Sequence, residues 1–198
     1  MMKTITLALA LALTIAAEPG STSKSTRAMG SPTAPITLDL YTDFQCPHCK
    51  EFHDDTLPQL INEYVNTGKV YLVRHYFILK FPYSKLSATY AAAAEKIGRY
   101  NEASDALYKT QQGWSQTGNV DQAVCSALSP ADAKKVRELV KDPSVLAEAE
   151  KDTEQGRTTN NVKSTPTLIV GHKGKKTTIE MAVSYPLLKR YLEGVLTQ

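Results

Sequence analysis

Cys46 and Cys49 enclose Pro47 and His48 in a chain of 198 residues. Two thiols at that spacing can close into a disulfide and reopen, so the chemistry they offer is redox exchange. An alternating apolar run, Ile36 to Tyr41 (ITLDLY), lies just before the pair. A stretch of helical character begins at Cys46 or Pro47 and runs towards Asn66. Strand before and helix after would put Cys46 at a helix N-terminus, where unpaired N–H groups carry roughly half a positive charge. A thiolate is favoured there and the pKa falls, each unit representing about 1.4 kcal/mol. A stabilised thiolate makes the disulfide a better oxidant and Cys46 a better leaving group. Pro47 suits the first helical turn, where a missing N–H costs nothing. His48 can add an N–H donor or a positive charge beside Cys46. Cys49, one turn further in, is expected to be covered and to act as the resolving thiol.

Two other readings of the pair fit less well. A structural zinc site wants four ligands, usually two such pairs, and here only His48 and His53 stand nearby. A purely structural disulfide across so short a loop removes little chain entropy and contributes little stability. Cys125, in VDQAVCSAL, shares a helical stripe with Val120, Val124 and Leu128, and reads as a small buried hydrophobe. His75 falls among large apolar strand residues, which points to a hydrogen-bonded core or edge position. His53 should share the helix face of Cys46. Trp114 is expected to pack a helical block. Tyr41, Phe44, Phe52 and Phe81 read as core, with a peptide groove as the alternative.

The elements that must hold this pair can be read along the chain. After Gly68, Lys69 to Leu79 (KVYLVRHYFIL) forms a second strand, and Pro58 should kink or split the helix between the strands. From about residue 84 to residue 158 no strand pattern appears. Alanine-rich helices follow one another there, with boundaries at Ser129-Pro130 and Asp142-Pro143. Strands return at Thr167 to Val170 and Lys176 to Met181, around a turn at Gly171 to Gly174, and a last helix covers Tyr185 to Leu196. The class is α/β, with an all-helical insertion.

The ends set the compartment. Lys3 precedes an apolar run, Ile5 to Ala17, of 13 residues, short of the ~20 a membrane span needs. Residues 1–17 therefore read as a cleaved signal peptide, and the mature protein as soluble and extracytoplasmic. Residues 18–34, rich in Ser, Thr, Pro and Gly, read as a flexible leader too short for a dimerisation domain. The domain proper is 35–198. A net charge of +3, with no long basic run, gives no case for nucleic acid. In an oxidising compartment a cysteine pair persists as a disulfide or cycles through one.

A second signal is Ser164-Thr165-Pro166-Thr167, just before a strand, where a proline has no ladder N–H to donate. Its Thr165–Pro166 bond reads as an ordinary trans loop or as a cis turn. Together, Asp43-Phe44-Gln45-Cys46-Pro47-His48-Cys49, Thr165-Pro166, the signal segment and the helical block resemble the DsbA family of exported oxidoreductases over residues 30–195. The resemblance implies a thioredoxin fold with a helical insertion, a cis Pro166, an exposed nucleophile at Cys46 and a buried Cys49. It also implies that the Thr165 backbone pairs with an extended substrate strand. Clients would be unfolded exported proteins with free thiols, and reoxidation would come from a membrane quinone-linked partner. No metal and no cofactor beyond the Cys46–Cys49 disulfide is expected, and the protein should be a monomer.

Two positions depart from the simplest oxidase. Relatives commonly carry a buried acid six residues before the first cysteine, where this chain has Leu40; Asp39 points to the other strand face. The proton route to Cys49 is then absent or served by Glu51 or a water. Thr165 also occurs before the proline in reducing and isomerising relatives. The leading expectation is a dithiol oxidase. The alternatives are a reductase or isomerase, a metal-binding module, and a peptide-binding chaperone.

Overall fold

A computed structural model of the chain describes residues 26–198; residues 1–17 and the first part of the leader lie outside the described residues. The sheet is built from β1 (Ala28–Met29), β2 (Ile36–Thr42), β3 (Val70–Tyr76), β4 (Thr167–His172) and β5 (Lys175–Ile179), in the order β1-β3-β2-β4-β5. Ile36, Leu38 and Leu40 alternate into the core, as the period of two requires. β2 runs parallel to β3 and antiparallel to β4. Lys173 (φ 46°) and Gly174 (φ 77°) join β4 to β5 in a two-residue turn whose positive φ angles match strand twist.

Residues 47–65 are helical but not uniform. α1 (Pro47–Glu51) and α2 (Leu57–Leu60) are each followed by a wider π turn, Phe52–Thr56 and Ile61–Val65. Pro58 stands in the first turn of α2 and donates no N–H; the π turn before it accommodates the break. The helical block holds six helices: α3 (Ser84–Lys96), α4 (Tyr100–Lys109), α5 (Gln111–Thr117), α6 (Val120–Cys125), α7 (Pro130–Leu139) and α8 (Pro143–Thr158). Ser129 and Asp142 cap α7 and α8 by accepting from the amides of Asp132 (3.1 Å) and Ser144 (2.8 Å). α9 (Tyr185–Leu196) closes the chain.

Two hydrophobic cores result. One packs α9 and the 47–65 helix on the sheet through Leu38, Leu40, Phe52, Leu72, Leu168 and Leu188. The other joins the ends of β2 and β3 to the helical block and includes Cys46, Cys49, Phe44, Tyr76, Trp114 and Cys125. A smaller contact lets α8 approach the sheet at Gly156. A Cβ there would lie 2.9 Å from Tyr41 Cε1 and 3.1 Å from Phe77 Cδ2. Gly156→Ala is therefore expected to cost about 1–3 kcal/mol by overpacking, measured as a lower urea midpoint.

One expectation is corrected. Residues 26–34 are part of the fold, not of a flexible leader. Ala28 and Met29 pair antiparallel with Val73 and Leu72. Arg27 binds Glu95 and Asp152 of the helical block. The guanidinium of Arg74 donates to the carbonyls of Thr26 (3.1 Å) and Arg27 (3.2 Å) and to Asn101 Oδ1 (2.6 Å). These partners are spread over the whole chain, so no local pattern in residues 26–34 announces them. His75 meets Asp39 across the sheet at 2.8 Å. Burial would lower its pKa, but the Asp152 and Asp39 carboxylates overcome that and raise it.

Candidate active site

β2 ends at a turn in which Asp43 does two jobs. Its carbonyl accepts from the Cys46 amide (3.2 Å), and its carboxylate accepts from the amides of Gln45 (2.7 Å) and Leu79 (2.8 Å). Burial raises the pKa of that carboxyl, against the hydrogen bonds that lower it. Cys46 is the N-cap of α1 and Pro47 its first residue. Two glutamines tie this loop to the helical block. Gln111 Nε2 donates to the carbonyls of Phe44 (2.7 Å) and Cys46 (3.0 Å). Gln45 accepts from the Tyr83 amide (2.7 Å) and donates to the Ser115 carbonyl (3.3 Å).

The two thiols differ sharply. Cys46 has its pKa lowered to about 6, first by the Cys49 thiol, then, against burial, by Thr165 and the amide N–H groups of Cys49 and His48. Those amides act across space, since the Cys46 side chain closes no cap hydrogen bond. Cys49 is pushed the other way by burial and by the Cys46 thiolate beside it. The Asp43 amide approaches the Cys49 sulfur at 3.5 Å. Cys46 is only 4% exposed and Cys49 fully covered, so the expectation of an openly exposed Cys46 is corrected. It lies in one buried cluster with Phe44 and residues of the helical block.

Across the site the Thr165–Pro166 peptide is cis, and the Thr165 carbonyl lies 3.5 Å from Cys46 Sγ. Pro47, His48 and Thr165-Pro166 thus meet around one sulfur. His48 contributes its backbone only: the ring is exposed and faces Glu51 Oε2 at 3.4 Å. Glu51, one of the alternatives for the proton route of Cys49, is exposed and faces the His48 ring. Among the described residues no group of three or more His, Cys, Asp or Glu side chains could hold a metal. Tyr41, Phe44 and Phe52 are core, whereas Phe81 is 43% exposed. Cys125 is buried, and its thiol pKa is raised to about 11, first by burial. Trp114 is buried in the block and donates to the Leu107 carbonyl (2.7 Å).

Sequence reasoning quoted Asp43 and Gln45 within the motif without giving them a role, and missed Gln111. Asp43 carries a readable signal, an aspartate two residues before the amide it accepts from. Gln111 carries none.

The model of a family described as "Thioredoxin" matches residues 22–191. The chain belongs to this thioredoxin family. A relative, disulfide bond formation protein D of Bacillus subtilis, is 23% identical over 177 residues, covering 85% of this chain and 76% of that protein. In fold the chain is similar to alpha-DsbA1 of Wolbachia pipientis (TM-score 0.71, 16% identity, 85% of this chain and 89% of that one). It is similar also to oxidised BdbD from Bacillus subtilis (TM-score 0.70, 22% identity, 87% and 93%). The relative's name assigns disulfide bond formation to that protein, and the solved structures show that this chain shares the DsbA fold. Among the described residues no helix of this family member is long and apolar enough to cross a membrane.

Proposed function

We propose that this chain is a dithiol oxidase acting outside the cytoplasm on exported proteins with free thiols. The observation that carries the reading is the division between the thiols, with Cys46 lowered to about 6 and Cys49 raised. A client thiolate attacks Cys46 Sγ of the oxidised pair and the Cys46–Cys49 bond breaks. A second client thiolate then attacks the client sulfur of the mixed disulfide, and Cys46 leaves as a thiolate. A low pKa makes it a good leaving group. Pro47 opens the helix behind Cys46, and His48 supplies an amide. Thr165 and Pro166 offer backbone to an extended client segment beside the sulfur. The Ile5–Ala17 run supports export, and the names of the relatives support disulfide formation. A separate oxidant, of the membrane quinone-linked kind, restores the disulfide.

The test is the equilibrium of the Cys46–Cys49 pair against glutathione. A potential less negative than about −200 mV is expected. A value near −270 mV, as for a reducing thioredoxin, would overturn the oxidase direction and favour the reductase.

A further inference from the structure

Gln111 is buried at the start of α5, where a long polar side chain is normally turned to solvent. Its side chain runs instead into the turn between β2 and α1. The Nε2 group donates to the Phe44 carbonyl (2.7 Å) and to the Cys46 carbonyl (3.0 Å). A carboxamide NH2 has two hydrogens in fixed directions, so one nitrogen sets residues 44 and 46 relative to each other. Both partners are acceptors, which also decides which end of the amide is nitrogen. The Cys46 carbonyl is the one that begins α1, accepting from the amides of Cys49 (3.1 Å) and Lys50 (3.2 Å).

The arm that delivers Gln111 is itself held along its length. Trp114, one turn on, is buried and donates its indole N–H to the Leu107 carbonyl of α4 (2.7 Å). α5 ends at Gly118 (φ 77°), where a Cβ would lie 2.8 Å from Tyr83 Cε1, so the helix end sits directly against that ring. Gln45 joins the same loop to the block in a different way. Its side chain bonds the Tyr83 amide and the Ser115 carbonyl, both outside residues 44–46. Gln111 acts on the peptide groups around Cys46 themselves.

We propose that Gln111 is a positioning residue for thiol–disulfide exchange, its NH2 group holding the Phe44 and Cys46 carbonyls so that the Cys46 sulfur stays aimed at the head of α1. This role rests on the function proposed above and deepens it, since it makes the helical block part of the redox site. Of the causes that hold the Cys46 thiol down at about 6, the Cys49 thiol is the largest. Thr165 and the amides of Cys49 and His48 follow, against burial. Each depends on where the sulfur stands, and the N-cap backbone of Cys46 (φ −73°, ψ 121°) sets that place. Freed from Gln111, the turn can rotate about those angles and carry the sulfur away from its partners.

The test titrates the Cys46 thiolate in the reduced protein and equilibrates the Cys46–Cys49 pair with glutathione. Gln111→Met keeps the length and the apolar cover of the side chain but not the donor. It should raise the Cys46 midpoint from about 6 by about one unit, making the pair roughly five-fold less oxidising at pH 7. Gly156→Ala, which crowds Tyr41 and Phe77 instead, should leave that midpoint at about 6 and so separates repositioning from lost stability. Gln111→Asn, with its NH2 group on a shorter stem, should give a smaller shift of the same sign, and it carries the test if the methionine variant does not fold. An unchanged midpoint and equilibrium in the Gln111 variants would overturn the positioning role and leave the function standing. So would an equal shift in Gly156→Ala. A wild-type pair that does not exchange with glutathione would overturn the function and the role together.

Discussion

Cys46→Ala is expected to abolish all catalysed exchange, while Cys49→Ala is expected to trap mixed disulfides on Cys46. The asymmetry follows from the two environments. With a pKa of about 6, Cys46 is mostly thiolate at neutral pH, whereas an unperturbed thiol at 9.0 is almost wholly protonated. That is about a 90-fold gain in the reactive form; lower basicity takes back roughly 20-fold, leaving about four-fold as a nucleophile. The larger benefit is as a leaving group, where low basicity only helps. Cys49, covered and raised, reacts with little besides Cys46. Mass spectrometry of each variant after mixing with a disulfide-containing peptide reads the result directly. A stable adduct on Cys49 in Cys46→Ala, with exchange retained, would sink the assignment.

The second large effect is on stability. In the reduced protein Cys46 has a folded pKa of about 6 against an ordinary 9.0. Its folded value is depressed, so the native state binds fewer protons than the unfolded chain between those values. Reduced-state stability therefore rises with pH through that window and is lost as pH falls through about 6. At pH 7 the contribution is about 1.4 kcal/mol, equivalent to about 30 mV of oxidising power. Cys49, raised above 9.0, stays protonated in both states below that value and leaves the sign unchanged. The oxidised protein has neither thiol to titrate. The urea midpoint of the reduced form should thus rise relative to that of the oxidised form between pH 5 and pH 8. A gap that is constant with pH would remove the thiolate from the account.

Much of this is legible in the sequence. Ile36, Leu38 and Leu40 announced β2 by their period, and Pro130 and Pro143 marked two helix starts with their caps. The placement of Cys46 at the head of α1 followed from strand and helix alone. What stayed hidden was long-range. Arg27 and Arg74 organise residues 26–34 through partners in the helical block, and a two-residue strand has no period to detect. Gln111 reaches the Cys46 carbonyl across 65 positions, and nothing in its neighbours signals it. The small cavity lined by Leu40, Cys49, His53 and Tyr108 has no local signal either, because a cavity is a property of several elements at once. The exposure expected of Cys46 failed for the same reason, since it shares a buried cluster with residues far along the chain.

The two borders of the sheet bear on how such a protein survives its own clients. β1 is only two residues long, and β5 begins with exposed Lys175 and Lys176. A short strand and a row of lysines are poor templates for another chain. On the function proposed here, the enzyme would meet unfolded polypeptides with many segments eager to extend a sheet. Blunted borders leave the backbone at Thr165, beside the reactive sulfur, as the favoured landing place. Under that function, encounters with unfolded chains would be steered away from co-aggregation and towards turnover.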